Sequence, residues 1–198
     1  MDTLRLSPPS SPARTGVWIG IATITLSFAA YTSAMIVRQG SGADWQHVVL
    51  PRILYFNTVL LLASSATLEV GRRRLEVDWA LEAIEGRAGA FSSPGVVWLW
   101  ATMVLGLLFI AGQVIAWRSL AAHGLFLASN PASDFFYVFT ALHALHLLGG
   151  VTALGYVLVR LRAAGAGAPR TALGAASLYW HFMDVLWLYL LLVLTTRL

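Results

Sequence analysis

The chain has 198 residues, 58% of them hydrophobic and 11% charged. A soluble domain carries about 25% charged residues, so this composition points to a bilayer. The absence of cysteine excludes disulfides, iron–sulfur clusters and thiolate zinc sites. The net charge of +4 comes from arginines in the loops, with no nucleic-acid motif beside them, so no nucleic-acid partner is expected.

A helix needs about 20 apolar residues to cross the hydrocarbon. In chain order, five segments qualify: Val17–Val37, Val48–Glu69, Val96–Trp117, Phe135–Arg160 and Ala172–Thr195. Residues 1–16 read as a flexible, Pro/Ser-rich tail and residues 17–198 as one all-α, five-helix transmembrane domain. The first span is too long for a signal peptide and has no small-residue cleavage site. Gly16-Val17-Trp18-Ile19-Gly20 is a GxxxG at its edge, a frequent chance match. The second span carries Asn57, Thr58, Ser64, Ser65, Thr67 and Glu69, with the hydroxyl residues read as helix-packing groups. Glu69 snorkels to water or pairs with Arg72, Arg73 or Arg74. The mixed stretch Glu69–Arg87 reads as a helix continuing past the inner surface, broken by Gly86–Gly95. Asn130-Pro131 marks a turn, after which Ser133 or Asp134 caps the fourth helix. Ala163–Pro169 reads as a Gly/Ala hinge before the fifth. Trp18, Trp45, Trp98, Trp100 and Trp117 fall near span ends, where interfacial tryptophan is enriched.

Arginine asymmetry gives an orientation. With the N-terminus inside, nine arginines lie in the cytoplasm and four outside. The expected architecture is an antiparallel bundle with the N-terminus in and the C-terminus out.

Few polar groups lie at membrane depth. An Asp at the centre of a membrane helix costs roughly 2.5–3.5 kcal/mol on insertion scales. Asp184 is such a residue, and His181 lies three positions earlier on the same face. His143 and His146 share a stripe of the fourth helix at similar depth. One reading is heme ligation by His143 or His146 with His181, as in a b-type cytochrome membrane anchor. A second is a proton relay. A third, which carries the most weight, is a structural polar network of His143, His146, His181 and Asp184 that holds neighbouring helices in register. The heme reading lacks a second matched pair and an obvious roomy pocket. A small carrier is disfavoured, since the chain has neither repeats nor broken helices. No phosphate loop, nucleophile elbow or HExxH occurs.

The order and spacing of these residues resemble subunit III of the heme–copper oxidases, the family of cytochrome c oxidase and bacterial quinol oxidase. The segments that carry the resemblance are Tyr179-Trp180-His181-Phe182-Met183-Asp184-Val185-Leu186-Trp187, the run Thr140–Gly149 with both histidines, and Asn57–Thr67 with Pro51 before it. Gln113 falls where the family has a Gln. The chain looks like the short five-helix bacterial form, lacking two N-terminal helices that wall a lipid cleft in longer members. The family usually carries a Glu eight residues after the Gly matching Gly16; here that position is Ile24, so no role of that carboxylate carries over. Phe28 fits the usual aromatic four residues on.

The resemblance implies a multi-pass protein of the bacterial inner membrane. Its role would be a non-catalytic supporting subunit of a terminal oxidase in aerobic respiration, sustaining assembly, proton uptake and stability. It implies no heme or copper in this chain; those cofactors belong to partner subunits. Oxidase subunit I, other oxidase subunits and membrane phospholipid are the implied partners. Glu69, Arg72, Arg73, Arg74 and Trp180 are candidates for lipid or subunit contacts. A subunit III-like protein linked to nitric oxide reductase stays open beside this reading, as does the choice of cytochrome c or quinol as electron donor.

Overall fold

The computed structural model describes residues 12–85, 94–163 and 169–198. The opening tail, most of the Gly86–Gly95 break and the Gly/Ala hinge expected from sequence lie largely outside those residues. Five helices follow one another: α1 (Pro12–Ser41), α2 (Ile53–Glu85), α3 (Pro94–Ala122), α4 (Pro131–Ala163) and α5 (Arg170–Arg197). All five are long and apolar enough to cross a membrane, and no strand occurs among the described residues. Each helix runs longer than its apolar stretch.

Most of α2 packs along α3, and α5 packs against α1, α2 and α4. α1 is the loosest member. Its Ile24, Phe28 and Met35 are buried, while Trp18, Ile19 and Leu26 stay exposed, as side chains facing lipid do. At Gly16 and Gly20 an added Cβ would meet nothing within 4 Å, so the GxxxG seats no helix among the described residues.

The close small-residue contact is elsewhere. Gly71 of α2 and Gly95 of α3 approach so nearly that a Cβ on either would lie 3.0 Å from the other's carbonyl oxygen. Small residues let membrane helices draw together in this way.

The start of α2 differs from the Val48 expected from apolar content. The helix begins at Ile53. Pro51 disfavours helical geometry at the residue before it, and the Val48 N–H is taken by the Leu198 carbonyl at 2.9 Å. Val48–Leu50 therefore form an irregular connection tied to the end of α5. His47 Nδ1 also meets the Leu198 oxygen at 2.9 Å.

Neither Ser133 nor Asp134 is the cap of α4. Asn130 occupies that place, its Oδ1 accepting from the Ala132 N–H at 3.1 Å, with Pro131 at the first helical position. Ser133 turns its hydroxyl back to the Asn130 carbonyl at 2.7 Å. Asp134 instead receives the Ala128 N–H at 2.5 Å, holding the positive φ of 68° at Ala128. Asn130 also donates from Nδ2 to the Gln46 carbonyl at 2.8 Å, binding the α1–α2 connection to the start of α4. Asn130→Ala is expected to lower stability by about 1–2 kcal/mol, read as an earlier unfolding midpoint in detergent, whereas Ser133→Ala should cost less.

Candidate functional site

The polar groups at membrane depth meet one another across helix boundaries, and tryptophan does much of the linking. Trp180 of α5 donates its indole N–H to Ser64 Oγ of α2 at 3.0 Å. Trp187 of α5 donates to Thr58 Oγ1 of α2 at 2.9 Å. Trp117 of α3 donates to Thr140 Oγ1 of α4 at 2.9 Å. Thr67 of α2 and Thr102 of α3 pair through their hydroxyls at 2.9 Å. Each bond satisfies a group that lipid would leave unpaired, a contribution of about 0.6–2 kcal/mol in membranes.

His181 of α5 meets Ser65 of α2, its Nδ1 lying 2.5 Å from Ser65 Oγ. Ser65 read from sequence as a packing residue; its part as the imidazole's partner was not legible there. Spacing alone offered Asp184 as the mate of His181. The Ser65 hydroxyl lies near the Asp184 carboxyl as well, yet neither carboxyl oxygen has a hydrogen-bond partner among the described residues. Asp184 itself is buried, at 5% exposure.

The two histidines of α4 diverge. His143 is fully buried, and neither ring nitrogen has a hydrogen-bond partner among the described residues. Its ring lies 5.1 Å from Trp187 and 5.7 Å edge-on from Phe109, with Phe109 and Trp187 perpendicular at 4.8 Å. Such aromatic pairs contribute roughly 0.5–1.5 kcal/mol beyond the area they bury. His146 turns Nδ1 to the Leu142 carbonyl of its own helix at 2.6 Å. Its ring packs edge-on against Phe28 of α1 at 5.9 Å, and its carbonyl accepts from the Tyr179 hydroxyl of α5 at 2.9 Å. The four residues named from sequence thus reach α1, α2, α3 and α5, mostly without touching one another.

Asn57 and Gln113 form a further buried contact, with Asn57 Nδ2 at 3.5 Å from Gln113 Oε1. The remaining amide atoms, Asn57 Oδ1 and Gln113 Nε2, have no hydrogen-bond partner among the described residues. Gly112 makes room for the pair, since a Cβ there would fall on the Asn57 amide.

A polar groove of about 530 Å³ lies between α1, α2 and α5, lined among others by Arg14, Glu69, Arg72, Arg170, Ser177 and His181. Glu69 receives Arg72 through both carboxyl oxygens at 2.9 Å and Arg73 at 2.6 Å. Arg72 also reaches Glu76 at 2.5 Å. Arg74 lies over the Trp98 ring at 5.6 Å. Arg170 donates to the Trp79 carbonyl at 3.0 Å and sits over its ring. Trp180, the remaining candidate for lipid or subunit contact, is 1% exposed, which leaves no ring surface for either. Ile24, at the position of the family's usual carboxylate, joins the apolar core. Among the described residues no group of three or more His, Cys, Asp or Glu is placed to hold a metal ion.

The family model for cytochrome c oxidase subunit III matches residues 20–196. A Mycobacterium tuberculosis protein named as a probable cytochrome c oxidase subunit 3 is 33% identical over 171 residues, covering 84% of this chain and 77% of its own. Cytochrome c oxidase subunit 3 of Corynebacterium diphtheriae is 31% identical over 172 residues, with the same coverage of 84% and 77%. That of Thermostichus vulcanus is 28% identical over 192 residues, covering 92% and 87%. The side-chain bonds between helices at membrane depth described above fall within the matched residues. The chain belongs to the cytochrome c oxidase subunit III family, a membrane-spanning component of the respiratory heme–copper oxidases.

Proposed function

We propose that this chain is the non-redox supporting subunit of a bacterial heme–copper oxidase, packed beside the catalytic subunit I in the inner membrane. It sustains the assembly, proton uptake and stability of that subunit and catalyses nothing itself. Heme and copper reside in the partner subunits. Residues 17–198 act as one antiparallel transmembrane domain, N-terminus in and C-terminus out.

The observation that carries this reading is the use made of the buried polar groups. Ser64, Ser65, Thr58, Thr140 and His181 are all engaged in bonds between helices. His143 is enclosed by aromatic rings and His146 is turned onto its own backbone. His143, His146 and His181 therefore serve the scaffold through separate contacts rather than as one network, and Asp184, whose oxygens have no partner among the described residues, is held for a group outside the chain. Glu69 with Arg72, Arg73 and Arg74 forms the inner-surface cluster that meets phospholipid headgroups or a neighbouring subunit.

Two measurements test the proposal. The purified chain alone should give a featureless reduced-minus-oxidised spectrum; a heme band from it would make it a b-type cytochrome anchor instead. A reporter active solely in the cytoplasm should be silent when fused after Leu198. Activity there would invert the topology.

A further inference from the structure

Two histidines lie away from the network just described, at the end of the bundle where the α1–α2 connection, the α3–α4 connection and the end of α5 meet. We propose that His47 and His123 form a two-histidine site for a divalent transition-metal ion such as Zn²⁺ or Cu²⁺.

Both imidazoles line one pocket of about 460 Å³, together with Val49, Pro51, Ser119 and Leu125. Both are oriented in the same chemical sense. His47 Nδ1 lies 2.9 Å from the Leu198 main-chain oxygen, and His123 Nδ1 lies 2.7 Å from the Ser119 carbonyl. Neither a carbonyl nor a carboxylate oxygen donates, so Nδ1 carries the hydrogen in each ring. The lone pair of the neutral imidazole then sits on Nε2. A metal-ligating histidine is characteristically held this way, its second nitrogen donating to a carbonyl that fixes tautomer and ring orientation.

The backbone beneath each ring is pinned. The residues flanking His47 are held on both sides, Gln46 by Asn130 and Val48 by Leu198. His123 closes α3, and the turn after it is set by Gly124 at φ 79° and by the Leu125 N–H bonded to the Leu120 carbonyl. A pinned backbone lowers the cost of ordering the two side chains around one ion. No arginine is among the residues lining the pocket, and its other walls are mainly aliphatic, so no positive side chain there opposes a cation. Imidazole nitrogen suits Zn²⁺ and Cu²⁺ and not Ca²⁺ or Mg²⁺. With two protein ligands, the remaining coordination positions belong to solvent or to a neighbouring subunit, which makes the site exchangeable.

The test uses the untagged full-length chain in lipid nanodiscs, with Cu²⁺ alone as probe and electron paramagnetic resonance as readout. One saturable equivalent with coupling to two nitrogens is expected. His47→Gln and His123→Gln should each remove one nitrogen coupling and weaken binding at least about tenfold, as loss of a ligand-supporting group typically does. Helical circular dichroism should stay unchanged in both. The double variant should bind no Cu²⁺ saturably. Absence of saturable binding in the parent chain, or an unaltered spectrum in either single variant that retains its helicity, overturns the site.

Discussion

Replacing Asp184 by leucine is expected to release this chain from its oxidase far more than it alters the heme spectrum. The carboxyl is buried on α5 and its two oxygens have no hydrogen-bond partner within the described chain. Its burial therefore costs the isolated protein free energy, roughly 2.5–3.5 kcal/mol on insertion scales. Leucine removes that cost. The isolated Asp184→Leu chain should accordingly insert at least as well as the parent and unfold no earlier. In the proposed packing beside subunit I the carboxyl would meet a group from outside the chain, so the complex should behave oppositely. Less of the variant should remain bound through purification, and Asp184→Asn, which keeps shape and hydrogen-bonding capacity, should fall between. A variant complex that assembles normally but loses heme absorbance would overturn the structural role. A leucine variant that unfolds earlier in isolation would place the partner of Asp184 within the chain.

The five spans were legible because each needs a run of apolar residues that nothing else in the sequence imitates. Their ends were less so. Val48, Val49 and Leu50 are as apolar as any span residue, and Pro51 together with a contact from 150 residues away, the bond from Val48 to Leu198, keeps them out of a helix. Helical spacing placed His181 with Asp184 and His143 with His146 on common faces. It could not reveal what each face meets. Ser65 answers His181, and the aromatic pair Phe109 and Trp187 encloses His143. A recurring signal was present but unread. Trp117, Trp180 and Trp187 each bear an indole N–H that needs an acceptor when buried, and Thr140, Ser64 and Thr58 supply it from neighbouring helices. The hydroxyl series that reads as simple packing is half of that pairing.

Glycine positions give the second large effect, and they lie away from the GxxxG of the first helix. Trp180 is wedged between helices, held at one end by Ser64 and 1% exposed. A Cβ at Gly106 would lie 2.7 Å from its Cη2 and 2.9 Å from its Cζ2. A Cβ at Gly150 would lie 3.2 Å from its Cε3 on the opposite side. The ring is rigid and hydrogen-bonded, so it cannot yield as the tip of a flexible side chain would. Gly106→Val is therefore expected to push α3 from α5 and to destabilise the chain by about 3 kcal/mol, the upper range for overpacking. The readout is the unfolding midpoint in detergent, alongside retention in the oxidase. Gly20→Ala, from the GxxxG, should change neither midpoint nor retention beyond about 0.5 kcal/mol, the usual range for a substitution that meets nothing, since its Cβ enters open space. Trp180→Phe in the Gly106→Val background should recover part of the loss, because the smaller ring vacates the overlapping atoms while giving up the bond to Ser64. If Gly106→Val is tolerated and Gly20→Ala is not, then the first helix is seated through its glycines on a partner, and Trp180 is not the wedge between α3 and α5.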